Sequence, residues 1–195
     1  PARKLSLQPT MIKPWSTLSS APAGDFRIFQ VRKDIKRSPR TGDDHDFVII
    51  ECVNWVNIIA TTADGHLVMV EQFRHGSNTV ELEIPGGVMD STDTSPEHTA
   101  RRELREETGY GGTSGKIIGQ VYSNPAIMNN TCFTVFIEDC RILHATEFDQ
   151  TEDLITRLVP IRDIPGLVAQ GRIRHSLAVA ALFHFELWRQ TDSPS

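Results

Sequence analysis

Features that would mark a specialised class of protein are scarce in this sequence. No apolar run approaches about 18 residues, so no transmembrane helix is expected. The chain has only three cysteines and no C-x-x-C pair, which favours reduced thiols in a cytoplasmic protein over a disulfide framework. Basic residues number 20 and acidic residues 25, for a net charge of -5. This balance gives no support to a nucleic-acid-binding surface.

What is present is ordinary for a compact globular protein. The 195 residues are 39% hydrophobic, enough for one domain with a substantial core and a small additional subdomain. Strand patterns come first, then one helix, further strands and two final helices. This order predicts a mixed sheet with helices packed on it, of the α/β or α+β class. A β-rich N-terminal part is expected to give way to the rest near residues 53–57.

Local signals predict the individual elements. Among the first 24 residues, Pro9, Pro14 and Pro22 predict an extended arm rather than a helix. Asp64-Gly65 is typical of a tight hairpin turn, and a polar turn is expected at 38–46. Helices are expected at 96–108, 163–170 and 176–190. The predicted strands are 26–35, 47–52, 55–61, 66–73, 80–84, 116–122, 131–138 and 154–159.

The helix at 96–108 has the clearest boundaries. Ser95 suits the N-cap, Pro96 suits the first turn and Gly109 suits the position that ends a helix. Gly86-Gly87, which lies a short polar loop before it, is expected to form a turn.

Three carboxylates mark one edge of this helix. Glu103, Glu106 and Glu107 fall within roughly a third of the helical circumference, beside Ala100 and Leu104, which can face a core. Like charges at this spacing destabilise a helix unless a positive charge lies among them. A hard divalent cation, which prefers oxygen ligands, is the natural candidate. Taken alone, the same glutamates also suit a solvated helix face paired with arginines.

The residues around these glutamates resemble the signature of the Nudix hydrolase family. Residues 102–110, RELREETGY, match every fixed position of its REUXEEXGU segment, and Gly87 supplies the glycine that begins the motif. One departure concerns the loop between them. The family places a glutamate six residues after the glycine and eight before the arginine, whereas here Asp93 keeps the first spacing and Thr94 the second. The loop is therefore one residue longer.

The resemblance extends to one branch of the family. Residues 71–74 (EQFR), residues 83–87 (EIPGG) and Pro125 look like the ADP-ribose and nucleoside diphosphate sugar pyrophosphatases. This likeness implies a Nudix fold, with a mixed β-sheet sandwiched by helices. It also implies an N-terminal arm and β subdomain at 1–55 that mediates an intertwined homodimer, followed by a catalytic domain at 56–195.

The implied chemistry is hydrolysis of a P–O–P linkage with Mg²⁺, for which Mn²⁺ can substitute. By the resemblance, the metal ligands are Glu103, Glu106, Glu107 and the carbonyl of Gly86. Family members use the arginine at the position of Arg102 to orient a glutamate of the same helix.

The resemblance also implies residues that contact substrate or activate water. Arg74, Glu83, Met128 and Asn129 are expected to bind the substrate, although Arg74 could equally form a surface ion pair. An acidic loop after the main strands suggests Glu152 as the catalytic base, with a solvated loop acid as the alternative. Further candidates for the base are Glu147, Glu106 and Glu107.

The expected substrate is a nucleoside diphosphate sugar of the ADP-ribose, ADP-sugar or GDP-mannose type. Nucleoside triphosphates or dinucleotides are the nearest alternative for the same fold. A nucleotide-binding module without catalysis is a further alternative, although such modules usually lose the carboxylates that are kept here. Neither nucleic acid nor membrane is expected as a partner.

Overall fold

The computed structural model describes residues 11–148 and 153–192, which divide into two units. The first unit holds the described residues up to Cys52 together with Ala126–Asn129, and the second holds Val53–Pro125 and the described residues from Asn130 onward. The strands are β1 Ser16–Asp25, β2 Gln30–Arg37, β3 Asp44–Glu51, β4 Trp55–Ala60, β5 His66–Arg74, β6 Thr79–Glu83, β7 Gly86–Val88, β8 Tyr110–Gly111, β9 Lys116–Tyr122, β10 Thr131–Ile137, β11 Arg141–Ile142 and β12 Leu154–Pro160. The helices are α1 Pro96–Thr108, α2 Ile164–Ala169 and α3 Ser176–Asp192. None of the helices in the described part is both long and apolar enough to span a bilayer.

The first unit is a three-stranded antiparallel sheet in the order β1-β2-β3. The extended arm predicted for the first 24 residues becomes strand β1 from Ser16 onward. Its Pro22 is tolerated because β1 is an edge strand, and the pairing shifts register between Pro22 and Gly24. The predicted polar turn is shorter than expected, since β3 already begins at Asp44.

The second unit contains the mixed sheet that the sequence predicts. Strands lie in the order β7-β4-β10-β9, with β4 and β10 parallel and the other neighbours antiparallel. A second sheet, β12-β5-β6, is antiparallel. The turn at Asp64-Gly65 forms, with Gly65 at φ +83°. However, only an isolated bridge between Thr61 and Leu67 joins β4 to β5, so these strands continue in different sheets rather than as a hairpin.

Helices cover both faces of the mixed sheet. Alternate residues of a strand face opposite sides, and in β4 Ile58 packs in a cluster with Ala100 and Leu104 of α1. Its neighbour Ile59 packs instead in a cluster with Leu182 of α3. The sheet is therefore sandwiched by helices, as predicted for a Nudix fold.

Helix α1 begins and ends at the predicted residues. The side chain of Ser95 accepts a hydrogen bond of 3.2 Å from the backbone N–H of His98. At the other end Gly109 has φ +71° and donates its N–H to the carbonyl of Arg105 at 2.8 Å. Both contacts satisfy backbone groups that a helix end leaves unpaired.

The Gly86-Gly87 pair does not form the predicted turn. It lies in β7, where Gly86 pairs with Asn57 and Gly87 with Val56. A Cβ atom at Gly86 would overlap the carbonyl oxygen of Val56. The glycines therefore serve close packing of this short strand rather than a reversal of the chain.

Candidate active site

Two buried glutamates of α1 converge on the glycine pair of β7. Glu107 accepts a hydrogen bond of 3.1 Å from the backbone N–H of Gly86. A Cβ atom at Gly87 would overlap the carboxylate of Glu103. Glu107 is only 4% exposed and Glu103 only 7%. The absence of side chains on β7 thus leaves room for two carboxylates beside its backbone.

Arg102 holds the acidic edge of α1 together. Its Nη1 lies 3.0 Å from Oε2 of Glu106 and 3.0 Å from Oε1 of Glu103. Its Nη2 lies 2.8 Å from Oδ2 of Asp93 and donates to the carbonyl of Val88 at 3.1 Å. One guanidinium thus contacts three carboxylates closely and a fourth, that of Asp90, at 3.8 Å, in the position that suits an orienting residue. The cluster carries more negative than positive groups.

Asp93 is the site residue that the sequence did not assign. Its side chain is fully buried and also lies 2.9 Å from Nδ1 of His98. The hydrogen bonds from Arg102 hold the pKa of Asp93 well below its usual range, against the opposing effect of burial. Its signal in the sequence was its place six residues after Gly87, where the family has a glutamate. Although the loop is longer, it still places a carboxylate, that of Asp93, against Arg102 of α1.

The carboxylates of α1 offer the donor set that a hard cation requires. Glu103, Glu106 and Glu107 present only oxygen atoms, which suits Mg²⁺. Within the residues that the structure describes, no three His, Cys, Asp or Glu side chains are arranged to hold a metal ion together. In the structure, Arg102 and the N–H of Gly86 contact oxygens of these carboxylates. The predicted ligand set fits by its chemistry and stays a prediction.

A second acidic centre lies on β6. Glu83 is 2% exposed and accepts hydrogen bonds from Arg74, Nε to Oε1 at 2.9 Å and Nη2 to Oε2 at 3.0 Å. Nδ1 of His175 lies 2.5 Å from the same Oε2. Burial raises the pKa of Glu83, but the hydrogen bonds from His175 and Arg74 outweigh it and lower the value to about 2. The structure therefore brings the predicted residues Arg74 and Glu83 together, while their substrate contacts stay a prediction.

His175 is a second residue that sequence reasoning missed. It lies 92 positions from Glu83 along the chain, immediately before the first residue of α3. No spacing or motif in the sequence connects the two. Only the fold shows that His175 belongs to this centre.

Met128 and Asn129 belong to the first unit. Met128 forms an isolated parallel bridge with Ile50 of β3. Asn129 donates its backbone N–H to the carbonyl of Ile50 at 3.3 Å, and its Oδ1 accepts from the N–H of Cys52 at 3.2 Å. Both residues thus extend the sheet of that unit. Their predicted contact with substrate is not tested by these interactions.

The predicted catalytic base, Glu152, lies outside the described residues. Glu147, its alternative, is described and lies against α1. Its backbone N–H donates to the carbonyl of Glu106 at 2.8 Å, and its Oε2 lies 3.6 Å from Nη2 of Arg105. Glu147 therefore lies beside the C-terminal half of α1.

The chain is similar to known proteins and matches a protein-family model. The NUDIX domain model matches residues 53–181. Over 169 residues the chain is 28% identical to the ADP-ribose pyrophosphatase of Mycobacterium tuberculosis, covering 86% of this chain and 81% of the relative. It is 29% identical over 133 residues to the ADP-ribose pyrophosphatase of Bacillus subtilis, covering 68% and 71%.

A solved structure shows the same fold. The crystal structure of an ADP compounds hydrolase aligns with a TM-score of 0.81 at 20% identity, covering 94% of this chain and 98% of that one. The family model covers well over half of the chain, and the carboxylate helix lies within it. The predicted family is thereby confirmed, and with it the expectation of an enzyme: this protein belongs to the Nudix hydrolase family.

Proposed function

We propose that the protein hydrolyses the pyrophosphate bond of a nucleoside diphosphate sugar, of the ADP-ribose, ADP-sugar or GDP-mannose type, in the presence of Mg²⁺. The products are a nucleoside monophosphate and a sugar phosphate. The observation that carries the proposal is the convergence of buried Glu103 and Glu107 on the Gly86-Gly87 backbone. The two similar ADP-ribose pyrophosphatases support the choice of substrate class.

The charge balance of α1 supports a cation as the missing partner. Arg102 is shared among Asp93, Glu103 and Glu106, and Arg105 also contacts Glu106, so with Glu107 the carboxylates outnumber these two arginines. Such an excess in a poorly solvated place is costly unless positive charge joins it. The proposed ligands are Glu103, Glu106, Glu107 and the carbonyl of Gly86, with Mn²⁺ as a substitute ion. When bound, the ion neutralises phosphate charge and lowers the pKa of a bound water.

Arg74 has a separate task in this proposal. Nε and Nη2 of its guanidinium are occupied by Glu83, which fixes the orientation of the group. In the part of the chain that the structure describes, Nη1 makes no hydrogen bond. It can therefore donate to a phosphate oxygen while the rest of the side chain stays clamped.

The proton of the attacking water requires an acceptor within hydrogen-bonding reach. We assign this role to Glu152, with Glu147 as the described alternative on the same segment. Glu106 or Glu107 would serve if the metal leaves one of their oxygens uncoordinated.

The proposal is tested with a substrate panel. The purified protein is assayed with ADP-ribose, ADP-glucose, GDP-mannose, UDP-glucose, dinucleotides and nucleoside triphosphates, with Mg²⁺, with Mn²⁺ and with EDTA. Chromatography of the products is expected to show nucleoside monophosphate and sugar phosphate, formed only with the ion. Faster cleavage of triphosphates or dinucleotides would favour the alternative enzymatic reading. Tight nucleotide binding without any cleavage would favour the non-catalytic module.

We also propose a homodimer that uses the first unit as its interface. The support is a set of exposed apolar side chains, among them Trp15 just before β1, Leu18 of β1 and Val48 of β3. Light scattering coupled to size exclusion is expected to give twice the mass of one chain, and the double change Leu18→Ser, Val48→Ser is expected to lower it. The three free thiols agree with a reducing compartment, and we assign the protein to the cytoplasm.

A further inference from the structure

Two neighbouring cavities of the second unit share Arg74 and His175. One, of about 310 Å³, is lined by Gly86 and Gly87 and includes the apolar side chain of Trp55. The other, of about 560 Å³, is lined by the turn between β5 and β6 and by polar side chains of β6. Arg74 and His175 therefore stand between the backbone beside the carboxylate helix and a second, polar compartment.

Glu83 determines which nitrogen of His175 is available. A carboxylate that accepts two N–H groups from Arg74 is ionised, so it can only accept from His175 as well. Nδ1 of the imidazole must then carry the hydrogen. In the neutral ring this leaves a lone pair on Nε2. Throughout the described chain, Glu83 is the one side-chain partner of His175, and the ring is about one-third exposed, 36%.

The polar cavity has few other unoccupied acceptors. Arg174 binds both oxygens of Glu81, at 2.8 to 3.0 Å. The hydroxyl of Thr79 donates its hydrogen to the carboxylate of Glu81 and accepts one from the hydroxyl of Ser77, 2.7 Å away. In the neutral ring, Nε2 of His175 is thus an acceptor at the boundary between the cavities, whereas the carboxylates of β6 are already engaged.

The lining of this cavity favours a polyol over a nucleobase. No aromatic ring other than the imidazole of His175 lies among the described residues that line it, so a planar base would find no stacking platform there. Hydroxyl groups, by contrast, can donate to Nε2. Since Arg74 offers a donor to a phosphate beside it, a sugar phosphate combines both features in one ligand.

We propose that Nε2 of His175 accepts a hydrogen bond from a hydroxyl of the sugar phosphate half of the substrate, which makes His175 a residue that determines specificity for the sugar. The inference rests on the proposed function, because it assumes that the diphosphate lies near Arg74. It adds a subsite, the polar cavity, and a ligand group, a hydroxyl donor.

Two substitutions separate the two nitrogens of the ring. In His175→Asn the amide can take the place of Nδ1 and keep the bond to Glu83, but nothing replaces Nε2. In His175→Gln the amide can reach the place of Nε2 and loses the bond to Glu83. His75→Asn is the matched control, since His75 is exposed and does not line the cavity.

The variants are assayed with ADP-ribose and with analogues that lack one hydroxyl of the terminal sugar. For one analogue the wild type is expected to lose roughly two- to tenfold in kcat/KM, mainly through KM, because one hydrogen bond is lost. His175→Asn should show that loss already with ADP-ribose and no additional loss with the analogue. His175→Gln should recover part of the discrimination, and His75→Asn should match the wild type.

An equal penalty for every analogue in wild type and His175→Asn would overturn the inference while leaving the proposed function intact. A loss confined to kcat, the same for all substrates, would also overturn it, because a proton-transfer role would then replace recognition. Calorimetry with ribose 5-phosphate and 2-deoxyribose 5-phosphate decides the matter without turnover. The wild type is expected to bind at least one of these two sugar phosphates more tightly than His175→Asn binds the same compound. Equal binding by the two proteins, or no binding by either, contradicts the inference even if no substrate is cleaved.

Discussion

Two pairs of buried acids in the second unit have opposite electrostatic surroundings. On β6, Glu81 is bound by Arg174, and Glu83 is bound by Arg74 and contacted by His175. Each of these acids therefore has its own cation. On α1, Glu103 and Glu107 are equally buried, but Arg102 contacts Glu103 while also serving Asp93 and Glu106.

We interpret this difference as one between acids that stabilise the fold and acids that are proposed to bind a cation. The pairs on β6 are neutralised within the protein, so they fix the turn before α3 and position Arg74. On α1 the carboxylates of Asp93, Glu103 and Glu106 share Arg102, and the proposed cation would add positive charge beside them. Burial alone does not distinguish the two pairs, whereas the sharing of Arg102 among several carboxylates does.

The largest expected effect is on turnover, from Glu107→Gln. The change keeps the shape but removes one charge from the proposed metal site, and metal stabilisation of the transition state is worth several kcal/mol. We expect turnover to fall roughly 10³-fold, since each 1.4 kcal/mol is a factor of ten. The melting temperature should stay near that of the wild type. Steady-state kinetics and circular dichroism measure both, with Glu138→Gln, an exposed acid, as the control. Near-normal turnover would remove Glu107 from the ligand set.

The corresponding change on β6, Glu83→Gln, should act on stability instead. Removing one partner of a buried ion pair leaves the other uncompensated and costs about 3 kcal/mol. Urea unfolding is expected to show this loss in the free energy of unfolding. Glu107→Gln, measured in the same way, should lose far less, because it relieves repulsion on α1. Equal losses in the two variants would abolish the distinction between the pairs.

The free energy of unfolding at low pH should also show the contribution of the ion pair of Glu83. The pKa of Glu83 is about 2 in the folded protein, against an ordinary 4.5. Its contribution is present above pH 4.5 and is lost as the pH falls towards 2, because protonation then favours the unfolded chain. The shift corresponds to about 3 kcal/mol. Between pH 5 and 2 the free energy of unfolding of the wild type should therefore fall more steeply than that of Glu83→Gln. Parallel curves would show that Glu83 is not held ionised.

The smallest of these effects concerns the backbone beside α1. In Gly87→Ala the new methyl group overlaps the carboxylate of Glu103 and must displace it. A displacement of about 1 Å at a catalytic group can cost about a hundredfold in rate. Gly166→Ala is the control, since the nearest atom to its new Cβ is 3.9 Å away. Turnover of Gly87→Ala close to that of the control would mean that Glu103 tolerates another position.

The sequence predicted best those features that depend on residues close together in the chain. Helix α1 was predicted to its ends because Ser95 and Gly109 act on their immediate neighbours. Strand β1 was predicted only as an extended arm, since Pro22 argues against a strand unless the strand lies at an edge, and edges are set by the whole sheet. Gly86-Gly87 was interpreted as a turn because glycine pairs usually are. Here the glycines leave room for the carboxylates of α1, which lie later in the sequence.

The site followed the same rule. The glutamates of α1 share one short motif, so their common edge was visible at once. His175 and Glu83 meet only because β6 lies beside the start of α3, and no periodicity records such a contact. Asp93 was intermediate, because its spacing from Gly87 was noticed but its pairing with Arg102 required the fold of the loop.

The four residues Ala126–Asn129 have a consequence for how the protein can be divided. The family model starts at residue 53, which suggests a cut just before it. Yet the carbonyl of Ile127 accepts the N–H of Ile50 at 2.7 Å, and Asn129 donates back to the same residue. A truncated chain starting at 53 would carry a loop whose sheet partner had been cut away. The chain passes between the units three times, so cutting it at the boundary near residue 53 does not separate one unit from the other.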